Sequence, residues 1–159
     1  MMKELHSEIE IAASAERVWD ILTDFASYPQ WNPFIRRISG ELEVGERLEV
    51  RLKAPDSRGV TLRPTVLRAE PHRLMRWVGH LLVPGLFDGE HSLATQPLDK
   101  NRVRFVQHEV FKGVLVPLFA RSLDNNTLRG FEQMNGALKV RAEAPPNSTD
   151  LRTPENFHG

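Results

Sequence analysis

Gly113-Val-Leu-Val-Pro-Leu-Phe-Ala-Arg-Ser-Leu-Asp-Asn-Asn-Thr-Leu-Arg-Gly-Phe-Glu-Gln-Met-Asn-Gly-Ala-Leu-Lys-Val-Arg-Ala-Glu143 is the longest run of the chain with a helical period. Phe119, Leu123, Thr127, Phe131, Met134 and Leu138 recur at spacings of three and four. That spacing draws one apolar stripe along a helix of about 117–142. Pro117 suits the first turn, where its missing N–H has no partner to lose. Arg121, Asp124, Glu132, Lys139 and Arg141 fall mostly off the stripe and read as solvated. Gly130 and Gly136 are costly in a helix interior, at ~1 kcal/mol each relative to alanine. Two reasons are open for them: close packing against a strand, or room beside the stripe for something other than protein. A stripe this long needs a broad surface to cover, and what precedes it reads as strands.

The chain has 159 residues, 40% of them hydrophobic, which suits one domain with a real core. Its 21 basic and 21 acidic side chains cancel, so nothing calls for nucleic acid or an anionic membrane surface as partner. The absence of cysteine excludes disulfides, thiolate metal ligands and a cysteine nucleophile. The first residues, Met-Met-Lys-Glu-Leu-His-Ser-Glu, lack the apolar run of a signal peptide. No window reaches the ~18 apolar residues of a membrane span. A soluble, cytoplasmic protein is therefore expected.

Residues 3–12 alternate, with Leu5, Ile9 and Ile11 set against Glu4, Ser7, Glu8 and Glu10, which predicts a strand. Ser14 reads as an N-cap and Glu16 sits in the first turn of a short helix over about 15–24. Pro29 and Pro33 bar its continuation through Tyr28–Phe34, so a single helical turn and a sharp re-entry are expected there. Six strand-like runs follow: 34–41, 47–54, 60–69, 73–82, 86–97 and 102–112, separated by glycine-, proline- and aspartate-bearing turns. Short connections mean antiparallel pairing, because parallel neighbours need crossover helices. Pro64 marks its run as bulged or on an edge. There is no internal repeat. From residue 144 the chain is polar and proline-bearing, and a disordered tail over 144–159 is expected.

This order, with Ala13-Ser-Ala-Glu-Arg-Val-Trp-Asp-Ile-Leu-Thr-Asp24, Tyr28-Pro-Gln-Trp-Asn-Pro-Phe34 and Met134-Asn-Gly-Ala-Leu-Lys-Val-Arg-Ala-Glu143, resembles the START-like, or SRPBCC, superfamily. Within it the motifs look like the bacterial polyketide-cyclase/dehydrase branch. The resemblance covers residues 3–143 and implies an α+β helix-grip fold: a seven-stranded antiparallel sheet wrapped around the C-terminal helix, with two short helices after the first strand. It implies an elongated cavity between sheet and helix that takes a small apolar ligand. It names no ligand.

Strand parity proposes the lining of such a cavity. In 102–112 the inward set is Val103, Phe105, Gln107, Glu109 and Phe111; in 86–97 it is Phe87, His91, Leu93 and Thr95. Met75, Trp77, Gly79 and Leu81 follow from 73–82, Leu48, Val50 and Leu52 from 47–54, and Leu62 and Val66 from 60–69. The helix contributes Phe119, Leu123, Thr127, Phe131 and Met134. Trp31 either lines the mouth or plugs the core. The turn at Asp99–Asn101 sets position 91 opposite position 109, making His91 and Glu109 neighbours inside the cavity. Such a pair is a charge-assisted structural contact, a polar handle for a ligand, or an acid/base dyad.

Other chemistry is sparse. His80 and His108 take the opposite strand parity to His91, which argues against a three-histidine metal site, and no motif calls for a cofactor. Gly85-Leu-Phe-Asp-Gly89 opens no helix and reads as a lip of the pocket. Gly113-Val-Leu-Val-Pro-Leu-Phe-Ala120 is apolar enough to touch a membrane and too short to insert. The leading expectation is a monomer or homodimer that binds a lipid, polyketide-like aromatic or isoprenoid. The alternatives are a cyclase, aromatase or dehydratase with His91 as acid/base and Glu109 as its orienter, and an interaction module without ligand.

Overall fold

Alternation does produce the first strand, β1 (Met2–Ile11), in the computed structural model, which describes residues 2–81 and 83–145. Leu5, Ser7 and Ile11 face the interior. Ser7, expected among the polar outer set, is buried because it shares the parity of Leu5. Ser14 caps α1 (Ala15–Thr23) by accepting from the Arg17 amide at 3.1 Å. A short 3-10 turn (Phe25–Ser27) leads into α2 (Tyr28–Trp31). The re-entry after Pro33 is held by the Asn32 side chain, whose Oδ1 accepts from the Phe34 and Ile35 amides at 3.0 and 2.9 Å.

The strands that follow are β2 (Ile35–Ser39), β3 (Glu49–Leu52), β4 (Val60–Leu62), β5 (Thr65–Glu70), β6 (Leu74–Leu81), β7 (Phe87–Asp99) and β8 (Arg102–Lys112). All pairings are antiparallel. The expected single sheet of seven strands does not form. Among the described residues eight strands make two sheets, one of five in the order β1-β8-β7-β6-β5 and one of three in the order β2-β3-β4. The break falls at Arg63-Pro64, inside the run expected over 60–69. Proline has no N–H to continue the ladder. Its carbonyl instead accepts from the Leu48 amide, and Val66 donates to Glu46, at 2.9 and 2.8 Å. Those bonds and the Arg47–Thr65 bridge stitch the small sheet to the edge of the large one.

The C-terminal helix runs in three parts: α3 (Val116–Ser122), a π-helical turn (Leu123–Thr127) and α4 (Leu128–Glu143). Leu123, Phe131, Met134 and Leu138 are buried as the stripe requires, but Phe119 is 41% exposed. Close packing explains Gly130, because a Cβ there would lie 2.5 Å from the Phe34 ring. It does not explain Gly136, around which 4 Å is empty. Arg17 donates to the Ala142 and Arg141 carbonyls at 3.3 Å, placing a cation on the negative end of α4. Among the described residues no helix is long and apolar enough to cross a membrane. Ala144 and Pro145 are described; the rest of the expected disordered tail, 146–159, lies outside the described residues.

Candidate ligand cavity

The inner face of the large sheet is a lattice whose rows are set by register. Trp77, His91 and Glu109 form one row across β6, β7 and β8. One step deeper lie Met75, Leu93 and Gln107; one step outward lie Gly79, Gly89 and Phe111. The outer face carries polar contacts such as the Arg76–Glu90 ion pair at 3.7 Å and the approach of His108 to Glu4 at 3.5 Å, as parity demands. Between the inner face, the small sheet and the π-turn lies a cavity of about 340 Å³. That volume falls within the ~300–1,000 Å³ range of small-molecule sites.

Of the residues expected to line it, Leu62, Trp77, Phe87, His91, Glu109, Leu123 and Thr127 do. Met75, Leu93, Phe105, Gln107, Phe131 and Met134 do not; they are buried in the core. Phe119 stands at the Phe87 end with its ring edge-on to Phe87, at 5.3 Å between centroids, and off the cavity wall. Trp31 does not line the cavity; it is partly buried and packs against the core beside Tyr28, at 5.2 Å between ring centroids. It borders a separate groove between α1 and the end of α4, with its indole N–H buried and unbonded. Val50, Leu52, Gly79, Leu81 and Phe111, which parity had placed on the inward face, line it too, and Phe34, Arg58, Val60 and Asn126 do so without having been proposed. Asn126 gave no signal, because it reaches the wall through the π-turn, which no sequence period announces.

His91 and Glu109 sit directly opposite each other in the ladder, as the turn count requires. Their side chains are not hydrogen-bonded to one another. His91 Nε2 meets Gln107 Oε1 at 2.9 Å instead. The Gln107 amide nitrogen donates to the Phe131 carbonyl at 3.2 Å and to Asn135 Oδ1 at 2.8 Å, and Asn135 donates to Ser7 Oγ at 3.0 Å. A main-chain carbonyl only accepts, so it fixes which end of Gln107 is the oxygen. His91 must therefore carry its proton on Nε2 and leave Nδ1 as a lone pair. Phe131 stacks on the imidazole at 4.9 Å and Trp77 meets it edge-on at 5.5 Å. Burial holds the His91 pKa down to about 4, the Gln107 bond opposing and His108 adding to the drop, so the ring is neutral. Gln107, not Glu109, orients it.

Glu109 is left without a hydrogen bond or counter-charge among the described residues, and burial alone pushes its pKa up to about 8. At neutral pH it is mostly the protonated acid, able both to donate and to accept. Its carboxyl has space because Gly89 has no Cβ; one there would lie 2.7 Å from Oε1. Among the described residues no group of three or more His, Cys, Asp or Glu side chains could hold a metal ion. The arrangement can present a neutral acid and a fixed neutral imidazole to an apolar guest.

A family model described as polyketide cyclase / dehydrase and lipid transport matches residues 2–143. No curated protein matches the chain. Among solved structures, the Zhui aromatase/cyclase from a Streptomyces species is 18% identical over 90% of this chain and 94% of its own, with a TM-score of 0.71. Norcoclaurine synthase from Thalictrum flavum, in complex with dopamine and hydroxybenzaldehyde, is 16% identical over 89% of this chain and 86% of its own, with a TM-score of 0.67. A hypothetical protein from Helicobacter pylori is 18% identical over 88% of each chain, with a TM-score of 0.70. At these identities the likeness is one of fold.

Proposed function

The chain belongs to the polyketide cyclase / dehydrase and lipid transport family, and from that premise we propose that it binds a small, mostly apolar molecule between sheet and C-terminal helix. A lipid, a polyketide-like aromatic or an isoprenoid fits this description. The observation that carries the reading is Glu109: an unpartnered, neutral carboxyl on the wall of an otherwise largely apolar cavity. Glu109 is half-buried on that wall, and a carboxyl facing a mostly apolar cavity gains when a bound hydroxyl or carbonyl hydrogen-bonds it. The dopamine and hydroxybenzaldehyde complex of norcoclaurine synthase supports the reading, since it puts small hydroxylated aromatics in this fold. A cytoplasmic monomer or homodimer remains the setting we assign.

A second reading, a cyclase, aromatase or dehydratase, draws on the same pair. A protonated Glu109 beside a neutral His91 is a general acid next to a general base, and the Zhui aromatase/cyclase shares the fold. His91→Gln and Glu109→Gln separate the two readings, each measured for affinity and turnover of the molecule that co-purifies with the wild type. Binding predicts weaker affinity and no product from wild type. Catalysis predicts a wild-type product and turnover reduced by ~10²-fold or more at little cost in affinity. A closed core without a pocket would favour the interaction-module reading, and the cavity of about 340 Å³ supports the binding reading instead.

A further inference from the structure

The small sheet has a second recess on its outer face, across β3 from the ligand cavity: Val50 and Leu52 line the cavity, and Arg51 lines the recess. Ile35 and Ile38 are three residues apart and would take opposite faces of a regular strand. Both are nevertheless buried. An inserted residue accounts for it. Ile35 pairs with Leu52 and Arg37 with Arg51, so Arg36 is the extra residue of a β-bulge. Past the bulge Ile38, Val50 and Leu62 share the inner face, and Arg37, Arg51 and Thr61 form the matching outer row. Ser39 and Glu49 stand in the next row. With Phe25, Ala26 and Pro29 from the 3-10 turn and α2, these outer residues line a recess of about 370 Å³.

Like charges directly opposite each other in a ladder repel, and the bulge sets Arg37 against Arg51. Among the described residues neither arginine has a carboxylate partner. Arg51 is held by neutral oxygens instead, donating to the Arg58 carbonyl at 2.9 Å and to Thr61 Oγ1 at 3.4 Å. Gly59, at φ +85°, permits this, because a Cβ there would lie 3.1 Å from Arg51 Nη2 and 2.7 Å from the Leu52 carbonyl oxygen. Thr61 accepts in that bond and keeps its own hydrogen to donate. The one carboxylate of the lining, Glu49, is met by Arg63 at 3.4 Å. The recess therefore offers two unmatched guanidiniums and a hydroxyl donor beside the apolar Phe25 and Pro29. The chain's zero net charge hides this excess, which is local. Guanidinium forks match phosphate oxygens, and one dianion between the two would relieve their repulsion. Neither large hydrophobic residue of the lining, Phe25 or Ile38, is exposed, so the recess has nothing to enter a bilayer with. We propose that it binds a small phosphomonoester, with the phosphoryl group between Arg37 and Arg51 and the organic part on Phe25 and Pro29. This site is separate from the sheet–helix cavity and does not depend on what that cavity holds.

Isothermal titration calorimetry at pH 7.5 and low ionic strength tests it with phenyl phosphate, close to a dianion there, against phenol. Wild type should bind phenyl phosphate at least tenfold more tightly than phenol, with affinity falling as salt is added. Arg37→Gln should lose at least tenfold in that affinity and keep or raise the ligand-free Tm, because the repulsion across the ladder is gone. Arg36→Gln removes the same charge from a residue outside the recess wall and should hold the affinity within about twofold. In nitrogen-15 amide spectra, phenyl phosphate should shift Ser39, Arg51 and Thr61 and leave His91 and Glu109 in place, a readout that needs no variant. Phosphatidate vesicles present the same group in a lipid headgroup and should bind no better than phosphatidylcholine vesicles; preferential binding to them would assign the recess to a membrane and overturn the proposal. Equal losses in Arg36→Gln and Arg37→Gln would reduce the effect to diffuse surface charge and overturn it as well. So would amide shifts confined to the sheet–helix cavity, or no binding of phenyl phosphate by wild type.

Discussion

Replacing Glu109 by glutamine should change how stability depends on pH, and the size of the change follows from burial. The folded carboxyl titrates at about 8 against an ordinary 4.5. Between those values the native state holds a proton that the unfolded chain has lost. Stability is therefore greatest below pH 4.5, declines as pH rises towards 8, and is flat above. The whole difference, 8 minus 4.5, at ~1.36 kcal/mol per pH unit, sets an upper limit near 5 kcal/mol. His91 runs the other way: its pKa of about 4 lies below its ordinary 6.5, so it raises stability as pH climbs from 4 to 6.5. Above 6.5 that contribution is complete and the Glu109 slope stands alone, worth at most ~2 kcal/mol from pH 6.5 to 8. Water reaching the carboxyl through the cavity mouth softens this, and about 1–2 kcal/mol is expected. Urea unfolding of wild type and Glu109→Gln at half-unit steps from pH 6.5 to 9 reads it directly. Subtracting the two curves removes the groups they share, including His6, His72, His80 and His108. Wild type should lose ~1–2 kcal/mol relative to the variant with m unchanged. Parallel curves would refute the claim that this carboxyl sits in a poorly hydrated wall without a partner.

The glycines of α4 should respond in opposite directions. Gly130→Ala drives a methyl into the Phe34 ring, which is itself held edge-on to Phe131 at 5.5 Å. It should destabilise by ~1–2 kcal/mol in chemical denaturation despite the better helix propensity. Gly136→Ala meets nothing within 4 Å and should stabilise by up to ~1 kcal/mol. Nitrogen-15 NMR of the histidine rings should find His91 neutral, protonated on Nε2, with a midpoint well below the ordinary 6.5; an Nδ1–H form would contradict the assignment of Gln107. Asn135→Ala strips partners from Gln107 and Ser7 and should cost ~1–3 kcal/mol.

The facing of His91 and Glu109 was legible because turn length and strand period are local, and together they set the β7–β8 register. Where the His91 ring then turns was not legible. Its partner Gln107 is itself held by Phe131 and Asn135, which the chain delivers from a helix more than twenty residues later. Pro64 was recognisable as a defect in its strand. That the defect splits one sheet into two depends on Leu48 and Val66 finding new partners, a matter of tertiary geometry. The helix stripe predicted its buried half well and failed at Phe119, because a π-turn intervenes and hydrogen-bond pattern has no signature in residue spacing. The cavity lining beyond the sheet, Arg58 and Asn126 among it, comes from a loop and that turn, and neither follows a period.

Native mass spectrometry of the protein purified from its own host tests the central claim most directly, with Gly79→Leu as the comparison. Gly79 lines the cavity, and a Cβ there meets only the Leu62 and Pro64 side chains, at an ordinary 3.9 Å, so a leucine takes up cavity space without pressing on backbone. Wild type should give an ion carrying one small, mostly apolar molecule, and a variant of the same fold should carry none. Wild type and variant found equally empty, or equally loaded, would contradict it.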